Sequence, residues 1–179
     1  MTIKNRLAIL IEGNREEDFI KWIVKPIMIG AGKYCEVITY KFPRVPKHIN
    51  ESYVRTVLDM NDDILCLTDI TGFRSKRDKK EQVQRDHVGN IGDNKVIIVI
   101  REIESWYLAG VRQSYCRRLR IDYYNVTDNI GKKEFHEIIA KSKFKPRGVC
   151  CLEMLRNYDV TLAKQKNRSF NCFHDNHLS

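Results

Sequence analysis

The sequence lacks the short motifs that would identify its chemistry directly. None of its six cysteines forms a CxxC pair and none of its five histidines stands at a zinc-finger spacing, which argues against a structural zinc site. Neither a GxGxxG nor a Walker motif occurs, so dinucleotide binding and P-loop chemistry are not expected. The absence of internal repeats, Gly/Ser linkers and low-complexity tracts favours a single domain over the 179 residues.

Long apolar runs are lacking too. The run Leu7–Ile11 is too short for a signal peptide and is followed at once by Glu12. No segment approaches the roughly 20 apolar residues that a bilayer requires, so no membrane segment is expected. The cysteines are expected to be reduced, partly buried thiols, and together these features predict a cytoplasmic protein.

What the sequence does have is an excess of positive charge. Lys and Arg number 32 against 23 Asp and Glu, which gives a net charge of +9 and a pI near 9.3. The basic residues concentrate in three segments, 74–80, 112–120 and 141–147. This clustering favours a polyanionic partner such as nucleic acid, because phosphate contacts release counterions. A basic but otherwise ordinary surface is the alternative.

The order of the apolar patterns predicts an α/β fold. Strand-like runs at 7–11, 35–42, 64–68 and 95–100 alternate with helical patterns at 15–29 and 50–60 and a charged, solvated helix at 76–87. This alternation predicts a mostly parallel sheet flanked by helices on both faces, with a core over residues 1–110. Weaker signals predict a mostly helical extension over 111–179, with helices at 133–140 and 149–158 and a polar tail at 169–179.

Acidic residues follow three of the predicted strands. Glu12 follows the first, Asp69 the run at 64–68, and Glu102 and Glu104 the run at 95–100. The carboxyl ends of parallel strands meet at one sheet edge, so these side chains are expected to converge on one cation, with Glu16 a helical turn beyond Glu12. Clustered carboxylates repel each other unless a cation neutralises them, and Mg²⁺ prefers such oxygen ligands.

Several alternatives stay open. The strand-end acids could be helix caps and solvated loop residues, and only one of Glu102 and Glu104 is expected to face the site. Trp106 is expected to pack its helix against the sheet, with stacking on a nucleic-acid base as the minority interpretation.

Two sets of residues resemble known families. Glu12-Gly13 after the first strand, Glu16 a turn later and Asp69-Ile70-Thr71 after another strand resemble the Toprim domain of topoisomerases, primases and nucleases of the "overcoming lysogenization defect" type. The stretches REIESWYLAG at 101–110 and KNRSFNCF at 166–173 resemble the small Toprim-like proteins of domain-of-unknown-function family 4276. Thr71 stands where Toprim has a second Asp, and Glu104, Asp62 or Asp63 could compensate.

The resemblance implies a nuclease or phosphotransfer protein that depends on Mg²⁺ or Mn²⁺, acts on nucleic-acid phosphodiesters, and has a role in defence against phages or mobile elements, with an ATPase as a possible partner. It implies catalytic roles for Glu12, Asp69 and Glu104. The implied metal ligands are Glu12, Glu16, Asp69, Thr71, Glu102 and Glu104, and the implied phosphate-binding residues are Arg74, Lys76 and Arg101. The alternatives are a catalytically degenerate module that binds nucleic acid or a protein, and a small-molecule phosphohydrolase.

Overall fold

The structure is a computed structural model that describes residues 5–179. It is an α/β fold with a four-stranded, all-parallel sheet flanked by helices, and a helical C-terminal part. The predicted fold class is therefore confirmed. The chain divides into two compact units, one ending at Ile98 and one beginning at Val99. Within the described residues, no helix is long and apolar enough to cross a membrane.

The sheet has the strand order β2-β1-β3-β4. Its strands are β1 (Arg6–Ile11), β2 (Glu36–Lys41), β3 (Asp63–Asp69) and β4 (Val96–Val99). Strand β1 pairs in parallel with β2 on one side and β3 on the other, with Leu10 opposite Tyr40 and Cys66. The aliphatic runs of β1 and β3 thus form the centre of the sheet, and their carboxyl ends lie at the same edge.

Helices of the first unit cover the sheet. They are α1 (Asn14–Phe19), a π-helical segment (Ile20–Val24), α2 (Lys25–Gly30), α3 (Lys47–Asp59), α4 (Lys76–Val83), a second π-helical segment (Gln84–Val88) and a 3₁₀ turn (Asp93–Lys95). One core cluster joins Leu10 and Cys66 of the strands to Val54 and Val57 of α3 and Val83 of α4. Alternate residues of a strand point to opposite faces, and the interior residues of both central strands are buried, which is why these stretches are apolar.

The second unit is helical. Its helices are α5 (Glu104–Ala109), α6 (Gln113–Leu119), α7 (Lys132–Ala140), α8 (Arg147–Arg156), α9 (Val160–Lys166) and α10 (Arg168–Phe173), the last followed by a π-helical segment (His174–Leu178). The sequence patterns for α7 and α8 predicted helices at these positions. Helices α6 and α9 were not predicted.

The segment 169–179 was predicted to be a polar tail, with Ser169-Phe170 as a helix start or tail anchor; in the structure it is helical and partly buried. The Asn167 side chain accepts a hydrogen bond from Phe170 N at 3.0 Å and so begins a helix at Arg168. Phe170 and Phe173, three residues apart on this helix, are buried and have ring centroids 5.3 Å from the Trp106 ring. Trp106 is fully buried, as the core-packing interpretation expected, and its ring contacts are with α10.

Candidate functional site

The carboxyl ends of β1 and β3 bring Glu12 against two polar partners. Thr68, the next-to-last residue of β3, donates its hydroxyl to Glu12 Oε1. Lys79 of helix α4 places Nζ 3.5 Å from the same oxygen. The Lys79 side chain is 11% exposed and that of Glu12 is 28% exposed, so this ion pair lies mostly out of water. We call Glu12, Thr68 and Lys79 the strand-edge cluster.

The alternation of side chains along the strands accounts for this grouping. Glu12 and Thr68 stand two residues after Leu10 and Cys66, respectively, so their side chains point to the same face of the sheet. Leu10 and Cys66 lie in the core cluster beneath α3 and α4. Lys79 extends from α4 on that same face, and its ammonium lies 5.1 Å from the centre of the Phe73 ring. A carboxylate, a hydroxyl and an ammonium therefore share one face of the sheet at the edge where ligands of parallel sheets bind.

Cys66 lies beneath the cluster and is fully buried. Burial raises the pKa of the Cys66 thiol, and the nearby negative charge of Glu12 raises it further while Lys79 opposes the rise. A thiol is a nucleophile only as the thiolate. Cys66 is therefore a packing residue, a buried free thiol.

Asp69 takes a different orientation from Thr68. As the next residue of β3 it points to the opposite face of the strand. Its Oδ1 accepts a hydrogen bond from the backbone N–H of Thr71 at 2.8 Å, which closes a turn leading to Gly72 at φ 81°. Thr71 thus supports the turn through its backbone, and the Asp69 carboxylate is half-buried at the end of its strand.

The remaining candidates of the first unit lie around this edge. Glu16, in the first turn of α1, folds back over Gly13, where its Oε2 lies 3.4 Å from the position a glycine Cβ would take. Arg74 is exposed on the segment between Gly72 and helix α4, and Lys76 is exposed as the first residue of that helix. Their positions next to the strand edge are compatible with phosphate contacts, and their role stays a prediction.

Asp62 and Asp63, the possible substitutes for a second Toprim aspartate, do not lie at this edge. They precede or begin β3, at its amino end, whereas Asp69 ends it. Asp62 is held by Arg6 through a 2.6 Å ion pair, and this guanidinium lowers the pKa of Asp62. Tyr34 donates its hydroxyl to Asp63 at 2.9 Å. Both acids are therefore engaged at the opposite end of the strand.

Arg101, Glu102 and Glu104 belong to the second unit. Arg101 is exposed, and its backbone is in the left-handed region with φ at 64°. Glu102 is half-buried in the connection before α5, and Glu104 is buried as the first residue of that helix. Helix α5 thus begins at Glu104, and the burial of Glu104 identifies it as the more enclosed of the two acids.

Within the described residues, no three His, Cys, Asp or Glu side chains lie close enough together to hold a metal ion. The predicted convergence of Glu12, Asp69 and one of Glu102 and Glu104 therefore stays a prediction. The sequence reasoning missed Thr68 and Lys79, the two residues that contact Glu12. Lys79 stands four residues before the buried Val83 on α4, so a lysine at an apolar helix position facing an acidic strand end was the available signal.

The two motifs that resemble family 4276 meet inside the second unit. Trp106 Nε1 donates to Ser169 Oγ at 2.7 Å, and Asn167 Nδ2 donates to Ser105 Oγ at 3.2 Å. Lys166 Nζ donates to the carbonyl of Leu108 at 3.3 Å. These groups are buried and satisfied, so the motif residues hold α5 against α9 and α10.

Comparison of the chain with family models, with curated proteins and with solved structures gives no match.

Proposed function

We propose that this chain is a Mg²⁺-dependent protein of the Toprim class that acts on the phosphodiesters of nucleic acid. The observation that carries the proposal is the strand-edge cluster, in which a partly exposed Glu12 carboxylate is fixed at the carboxyl end of the central strand. Ligands of parallel α/β sheets bind at this edge. The net charge of +9 suits a polyanionic substrate.

The donor set fits Mg²⁺ in its minimal form. This ion is commonly bound through one or two carboxylates, with water and substrate phosphates as the other ligands. Glu12 would supply one carboxylate, and Asp69, at the end of the neighbouring strand but on its other face, would supply the second after a change of its side-chain orientation. Mn²⁺ has similar oxygen preferences. When bound, the metal would polarise a phosphate oxygen and lower the pKa of a bound water.

The chain's own residues would prepare the site. Thr68 donates to Glu12 and thereby fixes the orientation of the carboxylate. The Lys79 ammonium offsets the negative charge that Glu12 would otherwise add beside a phosphate. Arg74, exposed just before helix α4, and Lys76, exposed at its first residue, would bind phosphate oxygens through charge-assisted hydrogen bonds.

A second function rests on two specific observations. Thr71 replaces the second acid of Toprim, and Lys79 already places a positive charge 3.5 Å from Glu12 Oε1. An ammonium in that position neutralises the carboxylate without any metal. On this hypothesis the chain is a catalytically degenerate module that binds nucleic acid or a partner protein without turnover.

A cleavage assay separates the two functions. Wild-type protein is incubated with labelled DNA and RNA in Mg²⁺, in Mn²⁺ and in EDTA, beside the variants Glu12→Gln and Glu17→Gln. Glu17 is the matched control, because it lies one turn away in α1 and pairs with Lys41 at 2.6 Å. The nuclease proposal predicts metal-dependent cleavage that only Glu12→Gln abolishes. Cleavage that survives in Glu12→Gln would contradict it, and nucleic-acid binding without any cleavage would establish the degenerate module.

A further inference from the structure

Two basic segments of the second unit are joined by hydrogen bonds. The carbonyl of Leu119, at the end of α6, accepts from Lys143 N at 3.3 Å and from Ser142 Oγ at 2.9 Å. Ser142 is buried and also accepts from Phe144 N at 3.1 Å, which fixes the loop after α7. The sequence stretches 117–120 and 141–147, which are separate along the chain, therefore form one surface.

This surface carries positive charge alone. Segments 112–120 and 141–147 contain no Asp or Glu. The exposed cations that we define as the basic surface are Arg117, Arg118, Arg120, Lys143, Lys145 and Arg147.

The cations of the basic surface are not held in ion pairs by the protein itself, although Glu153, whose pKa is lowered mainly by its hydrogen bond from Tyr115, also feels the charge of Arg118. Among residues 5–179, none of its six members makes an ion pair with a carboxylate. Two neighbouring basic residues differ in this respect, since Arg112 pairs with Asp159 at 2.8 Å and Lys141 pairs with Asp122 at 2.6 Å. A cluster of exposed cations without internal counterions repels itself, and it is stabilised when an external polyanion replaces bound salt ions.

The aromatic rings within these segments argue for backbone contact over base stacking. The Arg118 guanidinium lies 5.5 Å from the centre of the Tyr115 ring, and Lys143 Nζ lies 5.4 Å from the centre of the Phe144 ring. Both residues are half-buried, so neither offers a fully open ring face. Proteins that bind single strands usually offer open aromatic faces to the bases, whereas duplex phosphates need only fixed cations.

We infer that the basic surface of the second unit is a docking site for the phosphate backbone of duplex nucleic acid. It deepens the proposed function by assigning the substrate-binding surface and the duplex form, and to that extent rests on it. Contacts of this kind carry no base specificity. Binding is therefore expected to be independent of sequence and strongly dependent on salt.

The test measures binding of the full chain to a fluorescent DNA duplex of random sequence, by anisotropy, over a range of NaCl concentrations in EDTA. EDTA removes any metal chemistry, so failure here is distinct from failure of the nuclease proposal. The variant Arg120→Gln/Lys143→Gln removes two charges of the surface. The variant Lys132→Gln/Lys133→Gln removes two exposed charges from the first turn of α7, outside the surface, and is the matched control.

Each lost phosphate contact is expected to reduce the slope of log K against log salt by about 0.9. The surface variant should therefore bind about 60-fold more weakly at ~0.1 M salt, with a slope smaller by about 2, while the control stays close to wild type.

Three results would overturn the inference. They are absence of duplex binding by wild type, equal losses in the surface and control variants, and competition by single-stranded DNA or anionic vesicles as effective as that by duplex DNA. An RNA duplex, tested in the same way, identifies which duplex the surface prefers.

Discussion

The ion pair of the strand-edge cluster has a measurable energy. Glu12→Gln removes the carboxylate charge and leaves the Lys79 ammonium, whose side chain is 11% exposed, against the Phe73 ring. Lys79→Met removes the ammonium and keeps most of its apolar stem. If the pair behaves as a buried one, each single substitution leaves an uncompensated charge, whereas the double substitution leaves none.

The expected magnitudes follow from these exposures. Breaking one side of a buried pair costs about 3–5 kcal/mol, and we expect ~3 kcal/mol for Glu12→Gln. Lys79→Met should cost less, ~2 kcal/mol, because the Glu12 side chain is 28% exposed and keeps the Thr68 hydroxyl. The double variant should lose about 3 kcal/mol, so the coupling free energy in the cycle is about 2 kcal/mol.

Urea unfolding of the wild type, both single variants and the double variant gives this coupling directly. The control is the Arg77–Glu81 pair of the same helix, which is closer at 2.8 Å but has side chains 84% and 54% exposed. Its coupling is expected to be about 0.5 kcal/mol or less. Additive losses for Glu12 and Lys79, or coupling no larger than in the control pair, would refute the argument that this ion pair is desolvated.

Three further substitutions test the packing of the second unit by urea unfolding. Gly110→Ala should cost ~3 kcal/mol, because a Cβ there would lie 2.4 Å from the half-buried Tyr158 ring, and a loss under about 0.5 kcal/mol would contradict this. Ser169→Ala should cost ~1–3 kcal/mol by removing the acceptor of the buried Trp106 Nε1, and unchanged stability would contradict that assignment. Burial lowers the pKa of Lys166 to about 8, so its charged form destabilises the fold below pH 8. Above that pH the folded state loses a proton that the unfolded state keeps, so wild type should gain ~1–3 kcal/mol over Lys166→Met between about pH 8 and 10.5, and a flat difference would contradict this.

The sheet was predictable because its signals are local. The runs in β1 and β3 are apolar throughout, as a strand covered on both faces requires, and the acids of the first turn of α1 marked its start. The packing of helix α10 was not predicted, because it depends on Asn167, whose side chain caps the helix and also bonds Ser105 and Thr127 from distant segments. Such tertiary hydrogen bonds leave no periodic pattern in the sequence.

The candidate site was predictable only in part for the same reason. The order of strands placed Glu12 and Asp69 at one sheet edge, which follows from topology alone. The partners of Glu12 depend on side-chain parity and on the face that α4 covers. Thr68 and Asp69 are adjacent in the strand and so point to opposite faces, and the contact of Glu12 with Lys79 depends on how α4 packs. The sequence therefore indicated the edge of the sheet and missed the lysine that reaches it.

Metal binding tests the central claim most directly. Isothermal titration with Mg²⁺ and Mn²⁺ is carried out on wild type, Glu12→Gln and Asp69→Asn, with Glu17→Gln as the control. The account predicts binding to wild type and to the control that both strand-edge substitutions abolish while the proteins stay folded. Absence of binding to folded wild type at millimolar metal, or binding unchanged by Glu12→Gln and Asp69→Asn, would contradict it.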